Sequence, residues 1–294
     1  MKEKEKKQES EDIYLSPSSI NSWYRCQYYF YKVHIEKVPT KKTIHLVKGN
    51  IVHNCLEKFF DNGEFEEDLK GRMDRIFKRE WRISPDLKEL KLDKEDEEEE
   101  RKDIENILNK FLIRHLDKME ALLKSKPPKA ENLRHAWFIL RPRLKEVKLE
   151  SPDLRVRGRA DRIFENFDGI KILADYKTSN RYGIGIPEDY RRQAAIYALL
   201  YQEQEKEPLD FVSIIYLRFG EEPMLEVTPS LIRYARDSIL KVREATKSKE
   251  EKDYPRKMSA LCNYCQLKEL CDGTEEYKSE MRKKKFKKLL KGKK

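Results

Sequence analysis

Apolar positions along the chain follow two different periods. In the first 130 residues they recur at helical spacing. Ser16-Pro17, an N-cap residue followed by a proline suited to the first helical position, announces a helix carrying Ile20, Trp23, Tyr24 and Phe30, with Cys26 inside it. A second helix is expected after Gly49, where Ile51, Val52, Cys55, Leu56, Phe59 and Phe60 form one stripe. Residues 64–82 and 96–124 keep the helical period but are so charged that they are expected to lie mostly at the surface. Within them, the acidic run from Asp96 to Glu100 reads as a solvated helix face or loop. Lys126-Pro127-Pro128 ends this region. Beyond it, Ala136–Leu140 and Val147–Leu149 read as strands. Leu154–Phe164 and Ile170–Thr178 form a hairpin through the turn Asn166-Phe167-Asp168-Gly169. Pro187 to Gln202 returns to helical spacing, Phe211–Phe219 and Met224–Val227 are two further strands, and Pro229–Lys247 is a helix. No internal repeat is present.

Composition narrows the class. The 294 residues, 38% hydrophobic and 40% charged, suffice for one large domain or two small ones. No run of about 18 uncharged apolar residues exists, which excludes a membrane-spanning helix, and the charged N-terminus is no secretory signal. An aromatic content of 10% and recurrent short apolar runs exclude collagen, a coiled coil or wholesale disorder. The expectation is a globular, cytoplasmic protein, in which five cysteines argue for a metal or redox role over a disulfide framework. The net charge of +10 resides almost entirely in the last 13 residues, which hold nine Lys or Arg and no acid. Residues 1–12 and 282–294 read as solvated tails. Within the body, residues 61–120 hold 14 basic and 20 acidic side chains, whereas residues 134–192 hold 14 basic and 9 acidic. Positive charge thus gathers around the predicted hairpin.

That hairpin carries the chemistry. Alternation puts Asp175 and Lys177 on one strand face and Tyr176 on the other. A three-residue turn, 167–169, sets Asp161 directly opposite Asp175; a two-residue turn would send Asp161 to the other face. Two carboxylates with Cβ atoms about 4.5–5.5 Å apart repel each other and invite a hard divalent cation, Mg²⁺ or Mn²⁺. Such an ion lowers the pKa of a bound water and offsets charge on a phosphate, while Lys177 could stabilise the transition state. The same acids could equally be surface groups paired with Arg159, Arg162 or Lys177.

Four segments in order resemble the motifs of the PD-(D/E)xK nucleases. Gly158-Arg159-Ala160-Asp161-Arg162-Ile163 and Asp175-Tyr176-Lys177-Thr178 resemble motifs II and III. The stretch from Gly49 through His53 to Glu57 resembles the first motif, G-x-x-x-H-x-x-x-E, and Gln193-Ala194-Ala195-Ile196-Tyr197 resembles Q-x-x-x-Y. The likeness is greatest to the RecB-type branch, including CRISPR-associated RecB-like exonucleases and the AddB nuclease domain. It implies an α/β fold, a mixed sheet flanked by helices, in a single nuclease domain over residues 13–281 with a helical insertion at 62–134. It further implies that His53, Asp161, Asp175 and the carbonyl of Tyr176 hold the divalent cation, with Lys177 catalytic. Glu57, Gln193 and Tyr197 would support the site. The implied activity is metal-dependent exonucleolytic hydrolysis of single-stranded DNA or strand ends, in CRISPR spacer acquisition or in DNA repair and recombination. Helicase or CRISPR adaptation proteins would be its partners. A non-catalytic DNA-end-binding or assembly subunit, with a structural iron–sulfur or zinc site, is the alternative.

Cys262-x-x-Cys265 and Cys271 give C-x₂-C-x₅-C within the Cys-rich segment 255–273, and Cys26 is the natural fourth ligand. Four thiolates suit iron–sulfur or zinc, and spacing does not separate them. Resemblance to iron–sulfur RecB-like nucleases favours a 4Fe–4S cluster, a staple between the chain ends, although Gln27 stands where a proline often follows the first Cys. Cys55 reads as a buried apolar residue. Arg155, Arg157, Arg159, Arg162, Lys171 and Arg181 are expected around the site, on a phosphate track or as a solvated face. No P-loop is present, so any unwinding belongs to another protein.

Overall fold

The computed structural model describes residues 13–61, 64–166, 168–180 and 185–272. Arg181, Phe167 and the two charged tails lie outside the described residues. Pro17 opens α1 (Pro17–Arg25), but the helix stops before Cys26, which adopts extended angles (φ −162°, ψ 114°). The chain resumes as α2 (Gln27–Phe30) and a π turn over Tyr31–Ile35. Cys26 is therefore at a break, not inside one helix. The break re-aims the aromatic run that follows, so that Tyr28, Phe30 and Tyr31 are all buried.

Helix α3 (Ile44–Phe59) begins before Gly49, because its apolar stripe extends back through Val47. Next come α4 (Leu69–Ile83), α5 (Pro85–Leu90) and the 31-residue α6 (Lys94–Lys124). Their charge conceals an apolar face. Leu69, Met73 and Phe77 of α4, with Ile104, Ile107, Leu108, Phe111 and Leu112 of α6, are buried in one core with Val52, Leu56 and Phe59 of α3. The expectation that they lie mostly at the surface is corrected accordingly: each helix is charged outside and apolar within. A second correction concerns residues 136–140. They belong to a helix, α7 (Leu133–Leu140), whose first turn is capped by Asn132 accepting from the His135 N–H. A five-residue apolar run fits either period, and here the cap and the burial of Trp137 against Phe59 and Phe60 decide for helix.

The sheet has five strands in the order β1 (Leu144–Ser151), β2 (Val156–Glu165), β3 (Lys171–Lys177), β4 (Phe211–Tyr216) and β5 (Met224–Glu226). Pairing is antiparallel except between β3 and β4, which run parallel, joined by the crossover helix α8 (Glu188–Glu205). The sheet is mixed and flanked by helices, an α/β fold. Between β2 and β3 the pairs run from Glu165↔Lys171 to Arg162↔Ala174, and the Asn166 N–H donates to the Ile170 carbonyl. Asn166 thus faces Ile170 across the end of the hairpin, and Gly169 has a left-handed φ of 76°. Between β1 and β2 the pairs Lys145↔Arg162 and Val147↔Ala160 flank one unpaired step, where Glu146 has a φ of 47°.

Two further helices, α9 (Pro229–Ala245) and α10 (Lys268–Asp272), complete the fold. Contacts divide the chain into two compact units, Met1–Pro17 with Ile44–Leu240 and Ser18–Thr43 with Lys241–Lys294. The first contains the sheet. The second gathers its two chain segments through aromatic and ionic contacts: Tyr31 on Tyr254, Arg256 over Tyr28, and Lys32 with Glu251. Among the described residues, no helix is long and apolar enough to cross a membrane.

Candidate active site

Asp161 lines a cleft of about 780 Å³ formed by α3, the α4–α5 corner, β2, β3 and α8. Asp161 is held twice. The Tyr176 N–H donates to its Oδ2 (2.6 Å), and the His53 ring donates from Nδ1 to its Oδ1 (2.9 Å). His53 reaches the sheet because α3 turns its stripe toward the core and leaves residue 53 at the stripe's edge. Burial presses the imidazole pKa down, but the charge of Asp161 outweighs it and holds the pKa above the usual value.

Asp175 sits one strand away, fully inside. Burial raises its pKa, opposed by Lys177, whose Nζ is 2.5 Å from its Oδ2. Burial alone would discharge the lysine; Asp175 and then Asp161 reverse that and keep it protonated. Lys177 also donates to Gln193 Oε1 (2.7 Å), and Gln193 Nε2 in turn donates to the Tyr197 hydroxyl (3.2 Å). Gln193 and Tyr197 share a face of α8, so these hydrogen bonds fix the lysine from α8. Tyr197 is buried, which raises its pKa and leaves the phenol neutral.

The structure thus brings together His53, Asp161, Asp175, Lys177, Gln193 and Tyr197. Glu57 lies one turn further along α3, where its backbone carbonyl accepts from Lys145 Nζ (3.2 Å). Two residues escaped the sequence reading. Glu146 is one: its carboxylate, with the donor atoms of His53 and Asp161, forms a group within 4.8 Å of one another. Burial, then Asp161, raises its pKa, and it pairs with Arg159. The predicted strand began only at Val147, and nothing in the sequence marks residue 146 as left-handed. Tyr190 is the other, its ring 4.7 Å below Lys177 Nζ. The period of α8 could have found it, three residues before Gln193.

The basic residues separate. Arg159 lines the cleft, and Arg157 lies over the ring of Tyr14. Arg162 projects from the opposite sheet face, where it contacts Phe164 and Tyr176, and Lys171 is paired with Glu207 at the far end of β3. Those two do not surround the site. The strand pleat that exposes Asp161 on one face carries its neighbour to the other.

In the second unit, Cys26, Cys262, Cys265 and Cys271 are all partly exposed and none is in a disulfide. Burial, then the Cys26 and Cys262 thiols, raises the pKa of Cys265. Burial likewise raises Cys271, against a hydrogen bond from Arg256. Cys55 is buried in the helical core, as expected of an apolar residue.

A solved structure from Eubacterium rectale described as "Putative exonuclease" is 15% identical over 90% of this chain and 92% of its own, with a TM-score of 0.49. Another, described as SSO0001, is 16% identical over 86% of this chain and 94% of its own, with a TM-score of 0.26. Comparison with curated proteins gives no match. The family model of the PD-(D/E)XK nuclease superfamily, however, matches residues 14–272 and so takes in every residue of the cleft. With that span matched, this α/β chain belongs to the PD-(D/E)XK nuclease superfamily.

Proposed function

We propose that this nuclease is a divalent-metal-dependent DNA exonuclease acting on single strands. The observation that carries the reading is the meeting of His53, Glu146 and Asp161 at one step of the sheet, beside the buried pair Asp175–Lys177. An imidazole and carboxylates whose donor atoms lie within 4.8 Å of one another suit a hard cation. His53, Asp161 and Glu146 would hold Mg²⁺ or Mn²⁺, with Asp175 and the Tyr176 carbonyl completing the set. Bound there, the ion supplies positive charge against the phosphate and a more acidic water.

The chain's own residues do the rest. Lys177 is protonated at neutral pH, so it acts as a hydrogen-bond donor to charge developing on the phosphate and not as a base. Asp175 and Gln193 fix its position before substrate arrives. Arg159 lies where a phosphate would enter. Leu46 and Ile83, 53% and 47% exposed, line the cleft on α3 and α4, where unpaired bases can rest against them. This favours a single strand over a duplex, whose bases face inward.

In the second unit we propose a 4Fe–4S cluster on Cys26, Cys262, Cys265 and Cys271. Four thiolates suit either iron–sulfur or zinc, and the resemblance of the C-x₂-C-x₅-C pattern with Cys26 to that of iron–sulfur RecB-like nucleases supports the cluster. Five disulfide-free cysteines accord with a reducing cytoplasm. Spacer acquisition and DNA repair both call for such trimming of strand ends. The test compares wild type with Asp175→Ala on labelled single strands in Mn²⁺. Mononucleotide release by the wild type, lost in the variant, supports the reading; binding without cleavage by both would make this a non-catalytic end-binding subunit.

A further inference from the structure

On the sheet face away from Asp175, helices α6 and α7 leave a cavity of about 120 Å³ against β2 and β4. Phe111, Ile139, Leu140, Phe164, Ile215 and Leu217 give it apolar walls, while the carboxylates of Glu165 and Glu222, each paired with cations of its own, also line it. Its polar floor is Arg162. The guanidinium lies 4.3 Å from the Phe164 ring centroid and reaches the Tyr176 hydroxyl only by a long bond (3.4 Å). Its Nε is buried without a partner, and among the described residues no carboxylate pairs with it. The neighbouring cations differ. Lys118 and Arg114 at the rim share Glu222, and Arg143 pairs with Glu165. His115, 5% exposed, also lines the cavity, and its Nε2 has no partner.

Arg162 and the buried His115 line this cavity together, and each keeps a buried ring or guanidinium nitrogen without a hydrogen-bond partner. We propose that this cavity is a binding site for a small organic carboxylate, anchored on Arg162. The carboxylate would pair with the guanidinium through its terminal nitrogens, a charge-assisted contact in which Arg surpasses Lys. His115, kept neutral by burial with Arg162 and Lys118 nearby, can donate one further hydrogen bond. Water alone would leave the apolar walls wet. Inorganic phosphate would satisfy the charge but not the walls. One six-membered ring bearing a carboxylate matches both. Such a ligand would meet the strand of Asp175 through Tyr176, whose hydroxyl touches Arg162 and whose N–H holds Asp161.

Binding does not depend on the nuclease reading, and its test uses no hydrolysis. The full chain is titrated calorimetrically with sodium benzoate, with benzamide as the neutral isostere and with inorganic phosphate. The expected result is saturable one-site binding of benzoate, at least about tenfold tighter than benzamide or phosphate, as a charge-assisted pair requires. Arg162→Met should lose the preference for the anion. Leu140→Trp, which fills the cavity from α7 and leaves Arg162 in place, should abolish binding, with its fold checked by circular dichroism. Absence of saturable heat from benzoate would overturn the proposal. So would equal affinity for benzamide, or undiminished binding by Leu140→Trp.

Discussion

Replacing Asp103 by asparagine tests how the helical segment is tied to the strand that carries Lys177. Asp103, on α6, accepts from both terminal nitrogens of Arg218 and pairs with the buried Lys48 of α3. Arg218 Nε also donates to the carbonyl of Thr178 (2.6 Å), the residue after Lys177. Asp103 is therefore the hub of a network joining α3, α6 and the end of β3. Arg218, helped by Lys48, pulls its pKa from 3.8 down to about 2. At about 1.36 kcal/mol per unit, that shift sets a ceiling of about 2.4 kcal/mol on the stability the ionised form adds. The carboxylate keeps 27% of its surface in solvent, and screening reduces the figure to about 1–1.5 kcal/mol. Because the folded pKa lies below the unfolded one, this stability is complete above about pH 4 and is lost as pH falls toward 2. Asparagine mimics the protonated acid in shape and charge. Urea unfolding followed by circular dichroism should therefore show Asp103→Asn less stable by about 1–1.5 kcal/mol at pH 7. The gap should close as acid neutralises the wild type. Equal stability at pH 7, or a gap that persists undiminished to about pH 2.5, would refute the reasoning.

Other consequences follow from particular contacts. Gly158→Ala places a Cβ 2.8 Å from Tyr197 Cε1 and 3.3 Å from Pro17. The overpacking should cost about 1–3 kcal/mol in urea unfolding. At position 146 the left-handed φ of 47° favours glycine, so Glu146→Gly should be more stable than Glu146→Ala by about 1 kcal/mol. Both variants should bind Mn²⁺ more weakly in titration calorimetry. Lys177→Met should fold, since it keeps the stem, yet lose Mn²⁺-dependent cleavage by more than about 100-fold. Anaerobic purification should give brown protein with about four irons per chain, reduced in Cys26→Ser; stoichiometric zinc without iron would contradict the cluster.

Much of the site could be read in the sequence because it is encoded in short periods. Asp161, Asp175 and Lys177 belong to a hairpin whose loop length sets their register, and His53, Gln193 and Tyr197 follow from helical spacing on α3 and α8. What escaped depended on tertiary context. The apolar faces of α4 and α6 were masked by high charge, and Ala136–Leu140 was too short for its period to be unambiguous. The π turn and the break at Cys26 were set by where three aromatic rings could be buried. Glu146 was invisible for a related reason: a left-handed residue is a property of the assembled sheet, not of the residue type.

That residue also affects what the molecule can do with its neighbours. β1 is a terminal strand of the sheet, and its outer rim is a row of amides and carbonyls that a second chain could zip onto. A left-handed residue three positions in rotates one peptide out of that row and interrupts the template before it is long enough to nucleate pairing. Restoring a regular strand there would sacrifice a carboxylate and, in the same stroke, open the protein to edge-to-edge self-association.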